Sequence, residues 1–436
     1  MVGRASTAIG TVAAGLAVAA TPAPAATFTV NDRGDRPPGA CAPASCTLRE
    51  AVIAANARPG ADTIALRAGR HELSLVSTGE DAAADGDLDV TSGPLDVVRR
   101  GPGRAVIDAN GIDRVFDIGA ARTRLQHLVI TGGNAHPTDG DGDGGGIAAG
   151  DLGGAPVTLV DSEVIDNRAP GVDGNGGGID TDIAGTLTVI RSRIIRNVAG
   201  GDGGGITGSV DGPTVISRST IADNRAGEGG GVMVVDRVRI TDSTVGGNRV
   251  VGGGDGELGD GAGIYVDDQG VLTLTNATLT GNRANRHGGG VFGEAGGRAS
   301  LRAVTIARNR ADADGSGDGA GGGVYADRAR FTLSNAIVAL NTAAGGALAD
   351  CDGTATVTGS PNLLSTPGTG GCRLGGALIA RDPRLGPLAA NGGLTRTIAV
   401  RRGSPAVGAA SASSAPPRDQ RGVRRADPDL GAFELR

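Results

Sequence analysis

Along the middle of the chain, apolar residues return with one rhythm and glycine corners with the same one. Ile147, Ile179, Ile206, Val232, Ile264, Val291 and Val324 each follow Gly-Gly-Gly or Gly-Ala-Gly, at steps of 32, 27, 26, 32, 27 and 33 residues. Steps of that size belong to repeats that stack as solenoids. Asparagine keeps the same beat at Asn134, Asn167, Asn197, Asn224, Asn248, Asn282, Asn309 and Asn341. From Asn167 onward a Val, Ile or Leu sits three residues earlier.

One copy contains the alternating run Leu187, Thr188, Val189, Ile190, then Ser192, Arg193, Ile194 and the closing Asn197. Period-2 alternation of β-branched and aliphatic residues predicts short half-buried strands, and no window carries the 3.6-residue period of a repeat helix. A unit this short cannot bury its apolar side alone, so each strand must pair in parallel with its copy about 4.8 Å away. Glycine and asparagine then serve the corners, where φ is positive, and stacked asparagines can hydrogen-bond from coil to coil. The expected architecture is all-β, a right-handed parallel β-helix over residues 62–345, with its hand set by the parallel-crossover rule. Before it, Thr47 and Glu50 form a capping box, and Leu48, Ala51, Val52 and Ala55 fall on one helical face. This short helix is expected to plug the open N-terminal end of the solenoid.

Composition changes the picture in three ways. With 80 Gly among 436 residues and no Trp, the chain resembles low complexity, but the periodic aliphatics exclude that. The net charge of −6, and the interleaving of Arg with Asp along the sequence, argue against a polybasic patch and so against nucleic acid as a partner. Residues 1–25 hold Arg4, a small-residue apolar stretch and the Ala-Pro-Ala ending at Ala25, which reads as a secretory signal peptide cleaved after Ala25. No second apolar segment follows, so no transmembrane segment is expected after cleavage. In an exported protein four cysteines favour disulfides. Their spacing suggests the local pairs Cys41 with Cys46 and Cys351 with Cys372, although four cysteines allow three connectivities.

The run from Cys46 through Thr47, Leu48, Arg49, Glu50 and Ala51, followed by Pro59, Gly60, Asp62, Ile64 and then Gly86, Asp87, Leu88 and Asp89, resembles the CSLREA module of bacterial exported proteins, with Thr47 where that module has Ser. Asp382-Pro383, Asn391-Gly392-Gly393, Asp419-Gln420-Arg421-Gly422 and Gly431-Ala432-Phe433-Glu434 resemble a choice-of-anchor C-terminal module. The middle is similar to polymorphic outer-membrane-protein repeats, whose fold is the pectin-lyase-like β-helix. The resemblance implies export and display at the cell surface, and it implies no catalytic residues. Taken with the periodicity and the N-terminal pattern, this divides the chain into a signal peptide (1–25), an N-terminal cap (26–61), the solenoid (62–345), and C-terminal coils with the anchor-like module (346–436).

Candidate chemistry is of three kinds. Acids follow the corners at Asp151, Asp182, Asp236, Asp267 with Asp268, Glu294 and Asp327. Stacked about 5 Å apart they approach the spacing of a retaining glycosidase, but their recurrence in nearly every coil suits turn capping better than one active site. Lysine is absent, and His71, His127, His136 and His287 do not recur at matched positions. Asp139, Asp141 and Asp143 alternate with glycine like the start of a calcium loop, which makes Ca²⁺ a candidate ligand. The closing acid is missing, since position 12 is Gly150. Finally, the residue after each corner apolar position runs Ala148, Asp180, Thr207, Met233, Tyr265, Phe292 and Tyr325. Met233, Tyr265, Phe292 and Tyr325 form either an exposed ligand-binding stripe or an inward aromatic ladder.

The function expected is a secreted or cell-surface scaffold, a monomer, that binds extracellular glycan or protein. The alternatives are a polysaccharide lyase or glycoside hydrolase on the same fold and a purely structural surface component. A cleft holding several acids and an Arg on one flank would favour the enzyme.

Overall fold

The computed structural model describes residues 24–76, 79–119, 122–135, 142–150, 154, 156–181, 185–252, 258–353, 357–359, 361–366, 372 and 378–436. Most of the expected signal peptide lies outside them, as do His136, Asp139, Asp141, Asp151 and Asp182. Among the described residues no helix is long and apolar enough to cross a membrane.

The chain forms a right-handed parallel β-helix. Among the described residues, three parallel sheets of 12, 10 and 12 strands run the length of the solenoid. In one coil the chain passes from sheet two (Ile179–Thr181) to sheet one (Thr186–Ile190) to sheet three (Arg193–Ile195). It then turns at Asn197 and returns through a glycine loop. The corner residues Ile147, Ile179, Ile206, Val232, Ile264, Val291 and Val324 stack in register and are fully buried. They form the core column of sheet two, as their period predicts.

The solenoid extends past 62–345 at both ends. Strand Thr27–Val30 pairs with Thr63 to Leu66 before the first full coil, and Asn362–Leu364 and Leu378–Ile379 continue sheet three beyond Cys351. Helix α1 (Leu48–Asn56) leaves the first strand and covers the end of the core. Thr47 Oγ1 accepts from the Glu50 amide at 3.2 Å, and Glu50 Oε2 accepts from the Thr47 amide at 2.8 Å. Its buried Leu48, Ala51, Val52 and Ala55 join the solenoid core. Both local disulfides are present, Cys41 to Cys46 and Cys351 to Cys372, with Cα atoms 4.4 and 6.0 Å apart.

The stacked asparagines hydrogen-bond from coil to coil as expected, but they do not carry the corner's positive φ. Positive φ falls on the residue before each one, at Asp166, Arg196, Asp223, Gly247, Gly281, Arg308 and Leu340. The asparagine itself points inward. Its Oδ1 accepts both the backbone amide and the side-chain Nδ2 of the asparagine one coil earlier, at 2.8–3.1 Å from Asn167 to Asn341. Asn134 is not in this ladder. It bridges Arg168, one place out of register, and Gly133 occupies the ladder position. The ladder ends on Asp350, whose Oδ1 takes Asn341 while Oδ2 takes Ser365 Oγ and the Thr366 amide. A carboxylate suits this end, where four donors converge and no further acceptor is needed. A second ladder stands at the corner between sheets one and three, where Ser162, Ser192 and Ser219 each accept the amide of the preceding coil's residue at 3.1 Å.

Residues 385–436 do not add another coil. An antiparallel pair, Leu385–Ala389 with Thr397–Val400, folds back over the outer face of sheet three. Leu385, Ile398, Val400, Leu430 and Phe433 pack on Ala307, Ile337, Ala339 and Leu363. Gln420 accepts from Thr278 Oγ1 at 2.7 Å and donates to Thr244 Oγ1 at 3.1 Å, while Thr305 Oγ1 takes the Ala432 amide. Asp419 explains its own motif. Fully buried, its carboxylate collects the Arg421 side chain and the amides of Val423 and Glu434.

Candidate functional site

Sheet two carries one outward-facing column through the whole solenoid. In register from coil to coil it reads Asp89, Asp117, Ala148, Asp180, Thr207, Met233, Tyr265, Phe292, Tyr325 and Asp352. Its acidic and aromatic stretches differ in chemistry, and most of both is buried.

At the acidic end, carboxylate oxygens of Asp87, Asp89 and Asp117 lie within 4.8 Å of one another, a grouping able to hold a metal ion. Arg114 already supplies positive charge there, with Nε 3.3 Å from Asp87 and Nη1 3.5 Å from Asp117. Burial raises the Asp87 carboxyl well above its ordinary range, helped by the charges of Asp89 and Asp113. Burial likewise pushes Asp89 to about 7, although its Oδ2 accepts the Ala83 amide at 2.6 Å. Asp87 and Asp89 stood out in sequence only through a resemblance. Asp117 gave no signal, because nothing local places it beside Asp89.

At the aromatic end, Met233, Tyr265 and Phe292 are only 7, 7 and 3% exposed, and Tyr325 is half-buried. They form a cluster of their own, separate from the solenoid core. Neither expected arrangement holds. The column faces outward, so it is not a ladder inside the helix, and three of its four side chains are covered, so it is not an exposed stripe. The cover comes from the loop entering each corner. Gly261 and Gly288 adopt positive φ and lie so close that an added Cβ would sit 2.8 Å from Tyr265 Cβ and 2.6 Å from Phe292 Cβ. Only glycine lets the loop descend onto the column. Tyr265 and Phe292 rings lie 4.9 Å apart, Phe292 and Tyr325 stack at 5.7 Å, and His287 lies flat on Tyr325 at 4.2 Å.

The corner acids rim this cluster. Val266, Gly293 and Ala326 are paired in register, so the next residues, Asp267, Glu294 and Asp327, form one outward column, from which Asp236 is displaced by one place. Asp267 Oδ1 accepts the Asp268 amide at 2.7 Å, as turn capping predicts, and Asp327 pairs with Arg328 at 3.4 Å. Glu294 Oε2 accepts from the Tyr265 hydroxyl at 3.1 Å. Burial and the bond to Glu294 push the Asp267 carboxyl up to about 6, with the Asp268 amide opposing. Burial, with Glu228 and Glu294 nearby, raises the Tyr265 hydroxyl far beyond its ordinary value. Burial holds His287 down at about 4, and its Nδ1 accepts the Ala320 amide at 3.0 Å. His287 is therefore a neutral, packed ring.

Of the expected calcium loop, Asp143 is described, and its carboxylate accepts the Asn175 amide of the next coil. Asn175 Oδ1 in turn accepts the Asp202 amide at 2.7 Å, so these loop positions tie coil to coil.

Residues 140–291 match the family described as a right-handed beta helix region. The solved crystal structure of pectate lyase Pel9A resembles this fold with a TM-score of 0.55 at 16% sequence identity, over 94% of this chain and 96% of that one. At that identity the likeness speaks to the fold. Among curated proteins, none matches.

Proposed function

We propose that this protein is an exported, surface-displayed β-helix that holds an extracellular glycan without cleaving it. One observation carries the reading: the acids that could act as a catalytic pair are committed to one another and to neighbouring protein groups. Asp267 shares hydrogen bonds with Asp268 and Glu294, and Glu294 with Tyr265. Asp87 and Asp117 are tied to a buried Arg114. General acid and base work needs a carboxyl free to reach the substrate, and in both sets the carboxyls are already engaged with protein groups. By contrast the outer face of sheet one is uncovered and polar, with Arg124, Arg239, Ser300 and Thr332 exposed. The CSLREA-like and choice-of-anchor-like motifs and the signal peptide at residues 1–25 support export and display.

The enzyme reading has the likeness to pectate lyase Pel9A and the acidic cluster with its arginine behind it. Prolonged incubation with acidic and neutral polysaccharides separates the two. Retention of a polymer with no unsaturated product and no new reducing ends is expected, and turnover abolished by Asp117→Asn would reverse the conclusion.

A further inference from the structure

Directly after each ladder asparagine the chain places an outward residue, and in five coils that residue is arginine: Arg168, Arg225, Arg249, Arg283 and Arg310. A short fourth sheet aligns them. Arg225 pairs with Arg249, and isolated bridges carry the register to Arg283 and Arg310. Arg225, Arg249, Arg283 and Arg310 thus stand in single file on four consecutive coils, all exposed, about 4.8 Å apart. Among the described residues none of the four forms an ion pair. Among the described residues Arg310 is the one of the four whose guanidinium donates hydrogen bonds, to the Asp312 carbonyl. Beside Arg249 and Arg283 the residues two places away in the chain are Gly247, Val251, Gly281 and Asn285, and the described acids on that side, Asp314 and Asp318, share a pocket with Val251 and Asn285 without forming an ion pair to the row. Asp223 stands near one end, and at the other Asp312 is occupied by Ser316 and Gly317.

The guanidinium roots cannot spread apart, because the asparagine ladder directly behind them pins each coil to the next. Such a row of like charges is unfavourable alone and favourable against a line of opposite charge. We propose that it is the docking track for a linear acidic polysaccharide lying along the solenoid axis. The inference rests on the glycan-holding reading and names the glycan. Each arginine offers a planar fork that matches one carboxylate. A linear polymer carrying many carboxylates presents a line of negative charge that matches the row. A single file does not suit a flat anionic membrane. Nor do aromatic rings stand beside the row to stack bases, since Tyr265, Phe292 and Tyr325 lie on sheet two.

The test measures retention of the full chain on immobilised polygalacturonate and on neutral dextran across a salt series, with an oligonucleotide and anionic phospholipid vesicles as competitors. Expected are salt-sensitive retention on polygalacturonate and a loss of roughly tenfold or more in affinity in the variant Arg225→Gln/Arg249→Gln/Arg283→Gln/Arg310→Gln, with an undiminished melting temperature. If that variant does not fold, Arg249→Gln/Arg283→Gln is read instead and should show a smaller loss in the same direction. Undiminished binding by a folded variant overturns the track while leaving the glycan reading intact. Binding by the wild type to neither polymer overturns both. Stronger competition by the oligonucleotide or the vesicles overturns the assignment to a polysaccharide.

Discussion

Asp89 and Asp117 at one end of sheet two, and Tyr265 and Phe292 at the other, occupy the same outward column in unbroken register. Both pairs are withdrawn from water, yet by different physics. The aromatic end gains from burial and ring contact. The acidic end pays desolvation, which Arg114 offsets in part and raised carboxyl protonation in part. The backbone of a solenoid therefore sets where a covered column runs and leaves its chemistry to the individual coil. Covered charge in place of apolar side chains makes one end of the molecule sensitive to pH.

Phe292→Ala should give the largest effect, a loss of about 3–5 kcal/mol in denaturant unfolding, since the ring contacts both Tyr265 and Tyr325. A loss under about 1 kcal/mol would mean that the aromatic end collapses freely and is not a second core. Asp89→Asn sharpens the contrast. The folded state raises this carboxyl to about 7, so wild-type stability is fullest below the unfolded value and falls as pH rises toward 7. The variant should gain up to roughly 4 kcal/mol at pH 8 and nothing near pH 4. A gain independent of pH would remove the electrostatic account.

Tyr265→Phe deletes the hydroxyl bonded to Glu294 and should cost about 1 kcal/mol, visible as a small drop in melting temperature at pH 8. The smallest effect is expected for Asp236→Asn, which is offset from the other corner acids and, among the described residues, pairs only with exposed Arg237 at 3.3 Å. Stability should change by no more than about 0.5 kcal/mol and glycan retention not at all. A large loss of retention would return Asp236 to the list of functional acids.

What the sequence determined by itself was everything local or periodic. The strand alternation, the core column from Ile147 to Val324, the capping box at Thr47 and Glu50, and the two short-range disulfides each depend on neighbours in the chain or on a repeat of nearly constant length. Tertiary structure alone decided the rest. Coil lengths vary between 26 and 33 residues, and the extra residues fall in the loops, so alignment across coils cannot be counted along the chain. Whether the aromatic column is open depends on loops that descend through Gly261 and Gly288. Asp117 meets Asp89, and Arg225 stands in line with Arg310, only because backbone pairing brings distant residues to one height. Likewise, nothing in residues 385–436 announces that they turn back onto sheet three, because that contact joins side chains far apart in the chain. Periodicity specifies a coil, whereas the surface of a solenoid is written by register between coils.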